Sequence, residues 1–397
     1  MLLASCGGSP EARTIPNVLF VSIDTLRADH VGCYGYARPT TPALDRFAAE
    51  RAVRFAHAFA EAPWTLPSHV TMLTGLHPLT HGVRLPEQAP SDEVRNLAEL
   101  LDPTHYSFAV TDGGWLSEPW GFARGFESFH AQDRDIDAAV EMALEYVRHR
   151  RDKGPWFGFL HTYDVHCPYD PPAPYARTFT SADAEPIDVA GRCGNPHFNS
   201  LPVTAGQARF LADRYDEDIR RVDDALAKLF AELDRLDLWK DTIVIVTSDH
   251  GEEFLEHGQI GHERTLSREV LAVPLLLAAP GYAPGVVDAP VGLADLVPTV
   301  LELVGAAPAS RLDGTSLVRD LGYQLFHHPP IFSELAWQHE LVAESDAAGT
   351  RTSELGSATA ELTKKRAALL EDGYKPRVVD TTSKASELSD LGYGGER

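Results

Sequence analysis

The sequence predicts an α/β fold in which helices cover both faces of a mostly parallel sheet, giving a three-layer sandwich. The first observation is a set of short apolar segments, most of them rich in β-branched residues, spread along the chain. The second is that helical patterns separate these segments, an alternation typical of a parallel sheet. The predicted strands are Asn17–Ile23, Tyr106–Thr111, Trp156–Thr162, Thr242–Ser248 and Val273–Ala279.

The first and fourth predicted strands are each followed by an aspartate. Asp24 comes directly after N-V-L-F-V-S-I, and Asp249 with His250 comes after T-I-V-I-V-T-S. Ligands of such sheets bind beyond the carboxyl ends of the strands. Two carboxylates and an imidazole there would form a site for Ca²⁺, Mg²⁺ or Mn²⁺, with Zn²⁺ also tolerated. The alternative is that each aspartate only caps the turn or helix that follows it.

Three helices are predicted from their start signals and apolar spacing. Thr41-Pro42 begins one, and Gln207–Leu236 carries apolar residues at helical intervals. Pro67 and Gly75 bracket a third, short helix in W-T-L-P-S-H-V-T-M-L-T-G. Thr65 then lies at its N-terminus, where backbone N–H groups favour an alkoxide or an anion, and His69 lies one turn later. The alternative is that Thr65 merely N-caps this helix.

Further histidines follow predicted strands. His166 lies in D-V-H-C-P-Y after the third strand, while His257 and His262 follow the Asp249–His250 pair. We expect several of them to converge near the strand ends. Eight other histidines are predicted to have ordinary surface or packing roles: His30, His57, His77, His81, His149, His327, His328 and His339.

The charge balance excludes some partners. The 397-residue chain has 35 Lys and Arg against 58 Asp and Glu, which gives a formal net charge of −23 at pH 7. Such a chain repels nucleic acid at long range, so no nucleic-acid partner is expected. An anionic substrate would have to be attracted by a local positive site, for which a bound divalent cation is the obvious candidate.

The N-terminus and the cysteines suggest where the protein acts. Leu3-Ala4-Ser5-Cys6 resembles a bacterial lipobox, although almost no apolar segment precedes it, and a chance match is the alternative. We therefore expect residues 1–15 to be a leader remnant and linker, with a membrane tether through Cys6 and a location in the bacterial envelope, as a periplasmic or surface lipoprotein. Cys33, Cys167 and Cys193 show no C-x-x-C spacing. Buried free thiols are favoured over a Cys167–Cys193 disulfide.

Several blocks, in this order, resemble the sulfatase family of the alkaline phosphatase superfamily. They read D-T-L-R-A-D-H-V-G-C-Y-G-Y, T-P-A-L-D-R-F-A, T-L-P-S-H-V-T-M-L-T-G-L-H-P, D-V-H-C-P-Y, T-S-D-H-G-E with G-H, D-L-V-P-T-V-L-E-L-V-G and L-D-G-T-S-L. The resemblance covers residues 16–333 and implies a catalytic domain with a mixed central sheet. Residues 334–397 would be a shortened C-terminal segment that forms a small subdomain.

The resemblance also implies roles for individual residues. By position, Asp24, Asp249 and His250 match metal ligands, and Thr65 matches the nucleophile, which also touches the metal. His166 matches a histidine that binds the sulfate or the leaving group. His262 falls where many members have a substrate-binding lysine, and Thr25 replaces a second metal-binding aspartate. One divalent cation is expected, with Ca²⁺ first and Mg²⁺, Mn²⁺ or Zn²⁺ as alternatives.

The chain departs from the family at the nucleophile. Sulfatases oxidise a Cys or Ser in C/S-x-P-S-R to formylglycine, whereas this chain has Thr65 and His69. The β-methyl group of threonine prevents that conversion, so no formylglycine is expected. The family's G-K-W-H segment is also missing, and its counterpart, Thr111–Ser117, reads T-D-G-G-W-L-S. Phosphoethanolamine transferases and lipoteichoic acid synthases use a metal-bound threonine in a similar setting.

The leading functional hypothesis is a metal-dependent hydrolase of sulfate or phosphate esters that acts through a covalent ester of Thr65. Its predicted catalytic residues are Thr65, His69, His166 and His262, and its substrate would be a small-molecule, glycan or lipid ester. One alternative is a transferase that moves a phosphoryl-linked group to an envelope lipid or glycan. A second alternative is a non-catalytic binding protein with the same fold, which the missing Lys and His anion ligands favour. The intact acidic residues and His250 oppose it, because an inactive site has no need to bury charges.

Overall fold

The structure is a computed structural model. It describes residues 15–132, 135–189, 202–307, 309–322, 328–335, 341–354, 360–371, 373–381 and 388. Residues 1–14, which include Cys6, lie outside this set, so the leader and its tether stay predictions. Within the described residues, no helix combines the length and the apolar character needed to cross a membrane.

The strands and helices alternate along most of the chain. The strands are β1 Asn17–Ile23, β2 Val53–Phe59, β3 Gln88–Ala89, β4 Tyr106–Thr111, β5 Ser128–Ala131, β6 Trp156–Thr162, β7 Thr242–Thr247, β8 Glu253–Phe254, β9 Ile260–Gly261, β10 Ala272–Ala278, β11 Gly285–Gly292, β12 Ile331–Leu335, β13 Leu341–Asp346, β14 Gly349–Glu354 and β15 Arg377–Val378. The helices are α1 Pro42–Glu50, α2 Thr65–Thr74, α3 Pro78–His81, α4 Leu97–Leu101, α5 Ile136–Arg150, α6 Ala205–Arg235, α7 Arg268–Leu271, α8 Leu296–Val304, α9 Val318–Leu321 and α10 Ala360–Glu371.

Eight of these strands form the central sheet, in the order β11-β2-β10-β7-β1-β6-β4-β5. Neighbouring strands run parallel except around β10, which is antiparallel to both β2 and β7. The prediction of a mostly parallel mixed sheet is therefore confirmed. Since β1 lies between β7 and β6, the carboxyl ends of these three strands meet at one edge of the sheet.

Helices cover both faces of the sheet because the β1 side chains alternate between two cores. Val18 and Phe20 face the core that includes residues of α2, α4 and α8. Leu19 and Val21 face the opposite core, formed with residues of α1, α5 and α6. The three-layer sandwich predicted from the alternating elements is confirmed.

The predicted element boundaries hold best where a strand is fully buried. The bounds of β1, β4 and β6 agree with the prediction, and β7 and β10 differ from it by at most one residue at each end. The long helix α6 starts at Ala205, where Thr204 and Gln207 form a capping box. The central strands β2, β5 and β11 were not predicted.

Small sheets follow the main domain. β12, β13 and β14 form an antiparallel three-stranded sheet, and β15 pairs with β3. β14 pairs with β13 along its whole length, and the helix α10 follows it along the chain. The domain boundary expected after residue 333 falls inside β12.

One of the two described cysteines is oxidised. Cys167 is disulfide-bonded, and Cys33 is free. The preference for free thiols is therefore wrong at Cys167, whose bonding partner lies outside the described residues. Since Cys6 and Cys193 fall in the undescribed segments, the pairing proposed from the sequence stays a prediction.

Candidate active site

Three chain segments bring the predicted metal ligands and nucleophile together at one edge of the sheet. Asp24 follows β1, Asp249 and His250 follow β7, and Thr65 is the first residue of α2. All four side chains are fully buried. The hydroxyl Oγ1 of Thr65 lies 3.3 Å from Asp24 Oδ2 and 3.4 Å from His250 Nε2. His250 Nε2 lies 3.2 Å from Asp249 Oδ2.

The two aspartates and His250 fit a divalent cation. One ligand atom from each can be chosen so that all three lie within 4.8 Å of one another. Asp24 Oδ1 and Asp249 Oδ2 are buried without a hydrogen-bond partner. Burial and the neighbouring Asp249 carboxylate raise the pKa of Asp24 well above its ordinary value. A bound cation would compensate both orphaned oxygens and remove the repulsion between the carboxylates.

His250 is prepared as a ligand by the hydrogen bond of its other ring nitrogen. Nδ1 lies 2.9 Å from the carbonyl oxygen of Gly251, which can only accept, so Nδ1 carries the proton and Nε2 the lone pair. Burial lowers the pKa of His250 to about 4, so the imidazole is neutral at neutral pH. A neutral ring with its Nε2 lone pair beside two carboxylates is the form that binds a metal.

The start of α2 places Thr65 beside the acids. Trp64 occupies the N-cap position and makes no side-chain cap, while Thr65 is already helical. The interpretation of Thr65 as a simple N-cap is therefore wrong, and its hydroxyl points at Asp24 and His250 instead. Ser68, one turn further along, donates a hydrogen bond of 2.6 Å to the Asp249 backbone carbonyl and so ties α2 to the loop after β7.

His69 lies behind the nucleophile and is fully buried. Its Nδ1 is 2.9 Å from the Thr65 carbonyl oxygen and 3.3 Å from Asp249 Oδ2, and its Nε2 is 2.9 Å from Ser22 Oγ. These contacts connect β1, α2 and the loop after β7. They place His69 where it fixes the relative positions of Thr65 and Asp249, and its predicted catalytic role stays a prediction.

His161 is a site residue that the sequence reasoning missed. It lies in β6, next to β1, and its Nε2 donates to Asp24 Oδ2 at 3.3 Å. It is fully buried, and its ring lies 4.9 Å from that of His69. The available signal was its place near the end of W-F-G-F-L-H-T, where a polar residue interrupts a buried strand. With Thr65 on the same carboxylate oxygen, His161 orients Asp24.

Thr25, at the position of the family's second aspartate, is buried and its hydroxyl has no hydrogen-bond partner. Its φ of 57° is in the left-handed region, which is rare for a branched side chain and stores strain. The turn directs the Thr25 N–H to Asp249 Oδ1 at 3.2 Å. This residue therefore positions Asp249 through its backbone.

His166 and His262 stand beside His250. The rings of His262 and His250 are 4.4 Å apart, and those of His166 and His262 are 5.2 Å apart. His262 Nδ1 lies 3.0 Å from Glu252 Oε1, and Tyr169 donates to the other oxygen of the same carboxylate at 2.8 Å. His166 Nδ1 donates to the Cys167 carbonyl oxygen at 2.7 Å.

The protonation states of these two histidines follow from their contacts. Because the partner of each Nδ1 is a carboxylate or a carbonyl, Nδ1 carries the proton and Nε2 the lone pair. Burial lowers the pKa of both His166 and His262 to about 4. At neutral pH both rings are therefore neutral, and their Nε2 lone pairs can act as acceptors. Glu252, also missed from the sequence, fixes this state for His262.

The segment that replaces the family's G-K-W-H lies beside the site without adding a cation. Asp112 Oδ2 accepts a hydrogen bond of 2.7 Å from the backbone N–H of Tyr163. Residues 111–117 include no lysine, arginine or histidine. This segment therefore supplies no cationic side chain to an anionic ester.

The histidines assigned ordinary roles lie elsewhere where the structure describes them. His30 pairs with Asp216 at 2.6 Å, His77 contacts the Phe332 carbonyl oxygen at 3.0 Å, and His81 lies 3.1 Å from Thr71 Oγ1. His327 and His339 are outside the described residues.

Comparison with known proteins places most of the chain in one family. The family model described as Sulfatase matches residues 16–306. The ulvan-active sulfatase of Formosa agariphila is 26% identical over 77% of this chain and 64% of its own length. The multifunctional alkaline phosphatase superfamily protein PehA of Trinickia caryophylli is 29% identical over 45% of this chain and 40% of its own length. The chain thus spans less than two thirds of either relative.

Solved structures share the fold. The phosphonate monoester hydrolase of Agrobacterium radiobacter superposes with a TM-score of 0.70 and 21% identity, covering 90% of this chain and 94% of that one. This likeness agrees with the mixed eight-stranded sheet flanked by helices.

Proposed function

Because this chain belongs to the sulfatase family, we propose that it is a metal-dependent hydrolase of sulfate or phosphate esters, with Thr65 as its nucleophile. One observation carries the proposal. The Thr65 hydroxyl lies within 3.4 Å of both Asp24 and His250, inside a fully buried group that fits a divalent cation. An unassisted threonine hydroxyl is a poor nucleophile at neutral pH, and metal coordination is one of the few ways to activate it.

The cation would be held by Asp24, Asp249 and His250. The chemistry it supplies is a lower pKa for the Thr65 hydroxyl and partial neutralisation of the ester's negative charge. Ca²⁺ is expected from the family resemblance, but an imidazole among the ligands suits Mn²⁺ or Zn²⁺ better. All three therefore belong in the test.

In the first half of the reaction, Thr65 Oγ1 forms a bond to the sulfur or phosphorus atom, and the bond to the departing oxygen breaks. The hydrogen bond to Asp24 Oδ2 orients the hydroxyl for this attack. We assign to Nε2 of His262 or His166 the role of receiving the proton of the Thr65 hydroxyl and passing it to the departing oxygen. In the second half, a water oxygen bonds to the sulfur or phosphorus atom, the bond to Thr65 Oγ1 breaks, and a proton from the water returns to Thr65 as the sulfate, phosphate monoester or phosphonate is released.

Glu252 stabilises the proton on His262 during this transfer. Its carboxylate lies 3.0 Å from His262 Nδ1, and an imidazolium with a buried carboxylate partner is favoured over an isolated one. Glu252 acts through His262, so it is a positioning residue.

The charges around the site favour a monoanionic ester. A divalent cation would balance Asp24 and Asp249, while His166, His250 and His262 are neutral at neutral pH. No excess positive charge is then left for a dianion. Sulfate monoesters, phosphodiesters and phosphonate monoesters carry one negative charge, so we propose these over phosphate monoesters.

The substrate and the location extend the proposal. A relative named as ulvan-active supports a sulfated glycan as one substrate class. The disulfide at Cys167 supports an oxidising compartment such as the periplasm. The membrane tether through Cys6 and a lipid ester substrate remain further proposals.

The test is a screen of nitrophenyl sulfate, phosphate, phosphodiester and phosphonate with Ca²⁺, Mg²⁺, Mn²⁺ and Zn²⁺. We expect turnover of the monoanionic esters only with a divalent ion, and none by Thr65→Ala. Product formed only when an acceptor alcohol is added would identify a transferase instead. Metal binding without turnover of any ester would support the non-catalytic alternative.

A further inference from the structure

A small hairpin connects the loop after β7 with the residues that lead into α7. Its strands β8 and β9 pair antiparallel, with Glu253 opposite Gly261. His257 lies in the connecting turn, where the Gly258 N–H donates to the Leu255 carbonyl oxygen at 3.0 Å. The hairpin brings His257 close to Glu269 of α7.

Three side chains from these elements form a second group with metal-ligand chemistry. His257 Nε2 lies 2.8 Å from Glu269 Oε2 and 4.0 Å from Glu253 Oε1. One ligand atom from each of the three residues can be chosen so that all lie within 4.8 Å of one another. The group does not include Asp24, Asp249 or His250 and is separate from the active site.

One oxygen of the buried Glu253 carboxylate lacks a hydrogen-bond partner. Its side chain is 1% exposed, and Oε1 has no hydrogen-bond donor, although the carboxylate is hydrogen-bonded to Ser267 and Thr265. A surface ion pair of His257 with Glu269 explains the 2.8 Å contact but leaves Glu253 Oε1 unsatisfied. Buried polar atoms without a partner are rare and costly, so this oxygen, facing His257, needs a further explanation.

We propose that Glu253, His257 and Glu269 bind a second divalent cation, with Zn²⁺ as the expected ion. One imidazole nitrogen and two carboxylate oxygens are a ligand set that zinc accepts, and an imidazole disfavours Ca²⁺ and Mg²⁺. The His257 side chain is 51% exposed, so a fourth position opens to solvent and an ion can enter from there.

The second site would act on the active site through the hairpin. Glu252 directly precedes β8, His262 directly follows β9, and the two side chains are hydrogen-bonded at 3.0 Å. An ion shared by the hairpin and α7 would hold this pair in place. Its role is structural, and it does not depend on Thr65 being the nucleophile.

Gly251 shows how tightly the start of the hairpin already lies against α7. Its N–H donates to the Val270 carbonyl oxygen at 2.7 Å, and a Cβ at this position would come within 2.0 Å of the Glu269 carbonyl oxygen. The backbone contact fixes one end of the hairpin. The proposed ion fixes the turn at the other end.

The test is the number of zinc ions bound per full-length chain, measured by calorimetry and by elemental analysis after dialysis. We expect two for the wild type and one for His257→Ala, which is exposed enough to leave the fold intact. His149→Ala is the matched control, because His149 is an exposed histidine of α5 whose Nε2 lies 2.8 Å from Lys153 Nζ, and this variant should still bind two. Asp249→Asn should bind one, and the Asp249→Asn/His257→Ala double variant none.

The outcomes separate this proposal from the proposed function. If His257→Ala binds as many zinc ions as the wild type, or if Asp249→Asn alone abolishes all binding, the second site is refuted. If Thr65→Ala keeps full turnover while zinc binding still depends on His257, only the proposed function fails.

Discussion

Asp24→Asn should be more stable than the wild type when no metal is present. Once a divalent ion is added, the wild type should be the more stable of the two. In the metal-free site the Asp24 and Asp249 carboxylates are both fully buried, and each has an oxygen without a hydrogen-bond partner. Asparagine removes one charge and can donate to Asp249. Its carbonyl oxygen can still accept from Thr65 and His161, which now bond Asp24 Oδ2.

The size of the effect follows from the unsatisfied oxygens. An unsatisfied buried polar group costs about 1–3 kcal/mol. If the asparagine amide donates to the unsatisfied Asp249 oxygen, the free energy of unfolding should therefore rise by about that much. Unfolding entropy near 60 °C is roughly 2.1 cal/mol/K per residue, so a chain of 397 residues should gain about 1–4 °C in Tm. A saturating ion reverses the order, because binding at the active site at about 1,000 times Kd adds roughly 4.1 kcal/mol to the wild type and not to Asp24→Asn.

The assay is calorimetric unfolding in chelator and with Mn²⁺, Zn²⁺ or Ca²⁺. Asp216→Asn is the matched control, since Asp216 is equally buried but accepts hydrogen bonds from His30, Tyr36 and Arg38. It should lower Tm under both conditions. Our reasoning is refuted if Asp24→Asn also lowers Tm in chelator, or if the ion raises the Tm of wild type and Asp24→Asn equally.

Four further predictions concern activity and pH. Thr65→Ser should keep measurable metal-dependent turnover because a hydroxyl remains, whereas Thr65→Ala should lose at least about 10³-fold in kcat with Tm changed by only a few degrees. Steady-state kinetics and thermal unfolding followed by circular dichroism check this. If Thr65→Ala and the wild type have equal kcat, Thr65 is not part of the mechanism. Glu252→Gln should lower kcat about 5- to 30-fold, since a charge-assisted hydrogen bond to His262 becomes a neutral one worth about 1–2 kcal/mol less. The measurement is kcat as a function of pH for the variant and the wild type. If the two profiles have the same shape, Glu252 does not act through the proton on His262. Because burial raises the pKa of Asp24 and lowers that of His250 to about 4, metal affinity should fall as pH decreases through the range in which these two ligands take up protons, and titration calorimetry that shows an affinity unchanged down to pH 4 would contradict ligation by both. Burial also lowers the pKa of His166 and His262 to about 4, so between about 4 and 6.5 these three histidines bind more protons in the unfolded chain, and their contribution to the stability of the metal-free protein should decrease as pH falls through that range; comparing wild type with His262→Gln by calorimetric unfolding at several pH values checks it.

The sequence was most informative where one physical requirement dominates. β1, β4 and β6 are buried on both faces, so an uninterrupted apolar segment is enough to locate them. β2, V-R-F-A-H-A-F, pairs on both edges but leaves Arg54 and His57 partly exposed, and this mixed pattern concealed it. β11 was concealed by Asp288 and Pro290 within G-V-V-D-A-P-V-G.

Part of the site could also be read from the sequence, because it follows from where strands end. Asp24, Asp249 and His250 are at such positions, and Thr65 follows from the helix start. His161 and Glu252 contact Asp24 and His262 through pairings across the sheet and along the hairpin, which no local pattern reveals. The same holds for Cys167, since a disulfide depends on two distant parts of the chain meeting.

The central claim is that Thr65 forms a covalent ester with the substrate only when a cation occupies the site beside it. The most direct measurement is rapid acid quenching of the protein during turnover of a nitrophenyl ester, followed by mass spectrometry of the peptide that contains Thr65. We predict a sulfuryl or phosphoryl group on Thr65 in the presence of the activating ion and none in chelator. Turnover without any modification of Thr65, together with undiminished activity of Thr65→Ala, would contradict the claim.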